Sequence, residues 1–156
     1  MSGAEGPGTP WPFRLRPVEE GEFEALLELS TRALRPSLER VGRFDPERRR
    51  ARFRAAFKDG GLRAIQVGEV LAGCVGVRRH PDHLEIHGFY LDPALQGRGL
   101  GTAVLRALLA EAPEMPVRLE VLRHSDAARF YERHGFQRTG EAEFDWLYAL
   151  PARGTA

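Results

Sequence analysis

Cysteine is all but absent from this chain. Cys74 stands alone, so no intrachain disulfide can form, and the apolar residues 71–77 around it predict a small buried hydrophobe rather than a nucleophile. No apolar run is long enough to cross a membrane as a helix. Charge of one sign is not in excess either: the formal net charge is +1, which gives whole-molecule electrostatics no reason to draw the chain to nucleic acid or to an acidic membrane. Residues 1–12 are rich in glycine and proline and lack the basic start and apolar stretch of a signal peptide. They are expected to form a flexible leader, with 151–156 as a C-terminal tail and the cytoplasm as the default location.

What remains is a globular composition. At 156 residues, 42% hydrophobic and 29% charged, the chain fits one domain, 13–150, with enough apolar side chains to bury a core. Its charges are unevenly placed. Between Arg32 and Arg54 there are nine arginines, including the run Arg48, Arg49, Arg50. Two readings fit them: a solvated helix face partnered by Glu39, Asp45 and Glu47, or a basic lip that attracts an anionic acceptor.

Periodicity orders the elements. Residues 13–17 alternate as a short strand, and 19–34 carry Phe23, Leu26, Leu27 and Ala33 at helical spacing, with Pro36 expected to stop the helix. Asp45-Pro46 reads as N-cap and first helical residue of a second helix reaching about Phe57, ended by Asp59-Gly60-Gly61. Strands at 62–67 and 70–78 flank the hairpin signal Gly68-Glu69, and a further strand at 83–91 ends at Asp92-Pro93. A helix over 99–112 precedes a strand at 117–122, a helix at 125–134 with Gly135 at its C′ position, and strands at 136–140 and 145–150. The order β-α-α-β-β-β-α-β-α-β-β predicts an α/β domain: a mixed sheet with helices on both faces.

The segment with the most chemistry is Gln96-Gly97-Arg98-Gly99-Leu100-Gly101, between a strand end and a strong helix. Glycines let a backbone approach a ligand, and the free N–H groups of a helix's first turn point at an anion, so a phosphate or pyrophosphate suits this place. A Walker loop is excluded because it needs Gly-Lys-Ser/Thr and Lys58 is the only lysine; a dinucleotide fingerprint starting at Gly97 would need a small residue where Thr102 stands. The bland alternative is a tight turn.

Here the sequence resembles the GNAT superfamily of acyl-CoA-dependent N-acyltransferases, whose Q/R-x-x-G-x-G/A loop after the fourth strand embraces the CoA pyrophosphate. Gln96, Gly99 and Gly101 match that loop, Leu91-Asp92-Pro93 matches what precedes it, and the run from Ala127 to Phe136 looks like the superfamily's A-x-x-[FL]-Y-E-x-x-G-F stretch. The resemblance is specific from about Leu84 to Gly140. It implies a mostly antiparallel sheet whose fourth and fifth strands splay after a bulge, with pantetheine entering the gap. It also implies acetyl-CoA as cosubstrate, an amine acceptor on a small molecule or peptide, direct transfer in a ternary complex, and a homodimer. By the same resemblance Phe89, Tyr90, Leu91, Gln96, Gly97, Arg98, Gly99, Leu100, Gly101 and Thr102 are expected at the CoA site. Ser125 stands where relatives often have an asparagine that helps hold pantetheine.

Acetyl transfer needs an unprotonated amine, support for a developing oxyanion, and a proton for the leaving thiolate. Tyr131 occupies the position at which many relatives keep the proton-donating tyrosine; its alternative is core packing. For the base, Glu85 and His87 lie two apart on one strand face, and each has a structural alternative. The histidines His80, His83, His124 and His134 show no ligand-like grouping, so no metal site is expected. Trp11, Trp146 and Tyr148 read as packing residues. A non-catalytic acyl-CoA-binding module is the rival; it would keep the glycine loop and need neither Tyr131 nor a base.

Overall fold

The computed structural model describes residues 12–154, so Trp11, the leader 1–12 except Pro12, and the last two residues of the tail lie outside the described residues. The elements follow in the expected order: β1 (Arg14–Pro17), α1 (Phe23–Arg40), α2 (Pro46–Lys58), β2 (Leu62–Val67), β3 (Val70–Arg79), β4 (Leu84–Leu91), α3 (Leu100–Glu111), β5 (Val117–Leu122), α4 (Ala127–Arg133), β6 (Gln137–Glu141) and β7 (Asp145–Leu150), with short 3-10 turns at Glu20–Glu22 and Pro93–Leu95.

Local chemistry explains most boundaries. Asp45 caps α2, its carboxylate accepting from the N–H groups of Glu47 and Arg48 at 3.0 and 3.2 Å, and Pro46 opens the helix where no N–H is needed. Most other limits agree to within a residue or two, the first helix starting at Phe23 after a 3-10 turn, and two departures involve capping or proline. The first helix does not stop at Pro36 but runs on to Arg40 with the proline inside it. An interior proline costs about 3 kcal/mol or more, and here the last turn has tertiary partners: Ser37 is buried and Arg40 Nη1 donates to the His124 carbonyl at 2.6 Å. The fourth helix begins later than expected, with Asp126 rather than Ser125 at its N-cap and no side-chain cap bond.

The strands form one seven-stranded sheet in the order β1-β2-β3-β4-β5-β7-β6. Every neighbouring pair is antiparallel except β4 and β5, joined by the α3 crossover. Helices cover both faces. Leu100, Val104, Leu105 and Leu108 of α3 pack on one side with Val117, Leu119, Val121 and Tyr148, and all are buried. On the other side Phe23, Leu26, Phe53 and Phe57 of α1 and α2 close over Leu62 and Cys74, and the Phe23 and Phe57 rings meet edge to face at 5.4 Å. Cys74 is fully buried there, and burial pushes its thiol up to about 12, so it is no thiolate near neutrality. The described part of the tail is tied down, since Arg153 donates to the carbonyls of Leu109, Ala112 and Met115.

Candidate active site

The parallel pair in the sheet is very short. β4 and β5 are matched only at Leu84↔Val117 and Glu85↔Arg118. Beyond Glu85, β4 bulges opposite the Cys74 to Gly76 segment of β3, with Gly88 in the left-handed region, and the two strands separate. A cavity of about 1130 Å³ fills the gap and reaches both the glycine loop and the α1–α2 layer. Ligand sites commonly measure about 300–1,000 Å³, so this one has room for two reactants side by side.

At one end stand Gln96, Gly97, Gly99, Gly101 and Thr102. Gly97 and Gly99 adopt φ of +78° and +88°, and a Cβ on either would meet no protein atom within 4 Å. Their glycine identity therefore serves the backbone conformation and leaves open space above it, where an anion fits. Gly101 is different: a Cβ there would touch Leu91 and Phe130 side chains at 3.4 Å, so this glycine lets α3 lie close to β4 and α4. The first turn-closing bond of α3 runs from Ala103 N to the Gly99 carbonyl at 3.1 Å, and the N–H groups before it have no carbonyl four residues back within the helix. Gln96 ties the loop to the strand, its amide donating to the Leu91 carbonyl at 3.1 Å. The Leu100 side chain is fully buried in the core, and neither it nor Arg98 lines the cavity.

Along the middle of the cavity lie Phe89, Tyr90, Leu91, Ser125 and Tyr131. The Tyr131 ring is held by Phe130 and Phe136 at 5.2 and 5.4 Å, so the tyrosine is both a core residue and a cavity residue. Burial, with a smaller contribution from Tyr90, moves its phenol above the ordinary value, which keeps it protonated near neutrality. Ser125 Oγ is buried without a hydrogen-bond partner among the described residues, on the cavity wall. A buried orphan hydroxyl is costly unless a ligand meets it.

The two base candidates from the sequence share a strand face and have different surroundings. His87 lines the cavity, and its ring lies flat on Gly76 of β3, where any Cβ would overlap it. Burial, then the Arg78 charge, lower its pKa, so the imidazole is neutral at pH 7, and Nε2 has no partner among the described residues. Glu85 does not line the cavity. It accepts from Arg78 at 3.3 Å and meets His80 Nε2 at 2.9 Å; burial works to raise its pKa, and these partners outweigh that and hold it low. An acid that sequence reasoning passed over lies opposite. Glu120 of β5 is exposed to the cavity, pairs with no cation among the described residues, and is raised by burial and by the charges of Asp145 and Glu85. Its signal in the sequence, a lone acid between Leu119 and Val121, marks only an outward strand position.

The far end is roofed by α1 and α2. The α1 end spans the gap: Arg32 pairs with Asp92 at 3.6 Å on the β4 side, while Arg40 holds the His124 carbonyl and Arg43 sits 3.6 Å over the Phe144 ring on the other. His124 takes a φ of +66°, an unusual conformation for a residue with a side chain. Among the described residues no group of three or more His, Cys, Asp or Glu side chains is placed to hold a metal ion, and no helix is long and apolar enough to cross a membrane.

With this geometry in place, comparison with known proteins gives a consistent result. The profile of the Acetyltransferase (GNAT) family matches residues 23–136. The chain is 44% identical over 78 residues to the N-alpha-acetyltransferase RimI of Mycobacterium tuberculosis, covering 47% of this chain and 49% of that protein. It is 36% identical over 62 residues to the spermine/spermidine N(1)-acetyltransferase of Bacillus subtilis, covering 36% of this chain and 41% of that protein. The chain thus spans about half the length, or less, of these curated relatives. Among solved structures, the PaiA N-acetyltransferase of Thermoplasma acidophilum in complex with coenzyme A superposes with a TM-score of 0.69 at 16% identity, over 89% of this chain and 98% of that one. The ribosomal-protein-S18-alanine N-acetyltransferase of Escherichia coli gives 0.64 at 18% identity, over 92% of this chain and 96% of that one.

Proposed function

Because the chain belongs to the GNAT acetyltransferase family, we propose that it transfers an acetyl group from acetyl-CoA to an amine by direct attack in a ternary complex. The observation that carries the reading is the early end of β4–β5 pairing after Glu85 and Arg118, which opens one cavity from the glycine loop to the α1–α2 layer. The two curated relatives act, by their names, on a protein α-amine and on polyamines, and amine acetylation is what they share.

In this reading the pyrophosphate rests on the backbone at Gly97 and Gly99 and the first-turn N–H groups of α3. Pantetheine runs through the gap past Phe89 to Leu91, with Ser125 Oγ as a hydrogen-bonding partner. The amine nitrogen attacks the thioester carbonyl carbon; a C–N bond forms, and the carbonyl oxygen becomes an oxyanion supported by backbone N–H groups of the opened β4. The C–S bond then breaks, and the Tyr131 hydroxyl gives its proton to the CoA sulfur. Glu120 takes the proton of the attacking amine, directly or through water, because it is the cavity acid that is unpaired and raised. Neutral His87 stands across the gap as its partner in proton removal, and Glu85 acts on His87 as a neighbouring charge. The cytoplasm is the proposed compartment.

The experiment is release of free CoA thiol from acetyl-CoA on addition of a panel of amines and short peptides. Thiol release that needs both acetyl-CoA and an amine, with acetylated amine as product, is the expected result. Acetyl-CoA binding without release for any amine would overturn the catalytic reading.

A further inference from the structure

The helix α2 treats its arginines in two ways. On the side away from the cavity Arg50 pairs with Glu24 through two hydrogen bonds, and Arg54 pairs with Glu20 at 2.7 Å. On the cavity side stand Arg48, Arg49 and Arg52. Arg48 reaches only the capping carboxylate of Asp45, at 3.8 Å, and Arg52 forms no ion pair with a described residue. Arg49 is the telling case, because it is only 9% exposed and yet no carboxylate among the described residues comes within ion-pair distance. Its partners are neutral: Nη2 donates to Ser30 Oγ at 2.6 Å, the guanidinium lies 5.2 and 5.0 Å over the Phe53 and Tyr90 rings, and it also interacts with the Tyr90 hydroxyl. Its Nε is buried and has no partner among the described residues.

A guanidinium cannot discharge itself by losing a proton, so a buried one must be compensated by an anion or stay costly. Ring faces and the Ser30 and Tyr90 hydroxyls compensate in part. Arg49 lines the cavity beside Tyr90, and a carboxylate suits its fork geometry. We propose that Arg49 anchors a carboxylate carried by the acceptor, so that the substrate class is a primary amine bearing an anionic group, with Arg48 and Arg52 adding positive charge at the same wall. The inference rests on the transfer reading above and names its acceptor. A polycationic amine is disfavoured by the same three arginines, since like charges repel across the cavity. The carboxylate can belong to a free amino acid or to an acidic side chain beside a peptide's N-terminus.

The test compares kcat/KM for matched amines: free amino acids against their amides, acidic against neutral tripeptides with amidated C-termini, and spermidine as the polycation. The wild-type chain is expected to favour the carboxylate member of a pair by about tenfold or more, the range of a charge-assisted hydrogen bond. Preference among the amino-acid pairs points to a free α-carboxylate, and preference among the tripeptides to an acidic side chain; either supports the proposal. Arg49→Gln should bring that ratio toward one while leaving the KM for acetyl-CoA in place. Arg52→Gln, at an exposed position, is the second variant in case Arg49→Gln fails to fold, and should lower the ratio less. Equal or better use of neutral amines or spermidine, or an Arg49→Gln effect confined to the acetyl-CoA KM, overturns the inference and leaves acetyl transfer standing. Silence with every amine overturns both.

Discussion

The two ends of the cavity are built by opposite means. At the glycine-loop end the groups offered to a ligand are backbone: left-handed Gly97 and Gly99 and the first turn of α3, all within seven consecutive residues. At the α1–α2 end they are side chains gathered from different parts of the chain, with Arg32 and Arg40 from one helix and Arg49 from another. Backbone recognition suits a phosphate, whose shape never varies, and needs only a local sequence. Side-chain recognition can be changed one residue at a time, which suits an acceptor.

Four substitutions sharpen this contrast. The largest effect is expected at the backbone end. Gly99→Val places a β-branched residue at φ of +88° and pushes atoms into the space above the loop, so the stabilisation by acetyl-CoA should vanish. At a hundred times Kd that stabilisation is about 2.7 kcal/mol. The measurement is the ligand-induced rise in Tm for each protein against its own unliganded value, and an undiminished rise in the variant would remove the loop from the donor site.

Next comes the chemistry between the ends. Tyr131→Phe should lower turnover about 10²-fold with little change in acetyl-CoA affinity, since the ring packing against Phe130 and Phe136 is retained. Parental turnover in the variant would leave Tyr131 a packing residue only. Glu120→Gln should cost about tenfold or more near neutrality. The Glu120 pKa is raised, first by burial and then by Asp145 and Glu85, so its active, deprotonated form appears above the ordinary carboxylate pKa of about 4.3. The acidic limb of the kcat/KM profile should therefore lie above that value in the parent and disappear in the variant. An unchanged limb would assign the proton to His87 or to the amine itself.

The smallest effect concerns Gly101, which lies in the loop but packs against Leu91 and Phe130 instead of taking a positive φ. Gly101→Ala gains helix propensity of about 1 kcal/mol and must fit a methyl against Leu91 and Phe130. The net change in stability should stay within about 1 kcal/mol, and the acetyl-CoA-induced Tm rise should persist. Loss of that rise would mean that close helix packing, rather than backbone conformation alone, shapes the donor site.

The sequence by itself determined the element order, most strand limits, the Asp45-Pro46 helix start and the position of the glycine loop, because each is written in neighbouring residues: a side-chain period, a cap, a glycine where φ turns positive. It also singled out Tyr131 and His87, which both line the cavity. Only the tertiary structure decided the rest. Pro36 was read as a stop because its local cost is real, and the burial of Ser37 and the bond Arg40 makes across the cleft carry the helix past it. Glu85 and Glu120 are alike in the sequence, each an acid alternating with apolar neighbours. Arg78 and His80 engage the first, whereas the splay of β4 from β5 leaves the second facing open space. Arg49 is one of three consecutive arginines, and which of them turns inward depends on how α2 is rotated against Tyr90 and Ser30. Burial and charge pairing are sums over neighbours from the whole chain, and a single segment does not contain them.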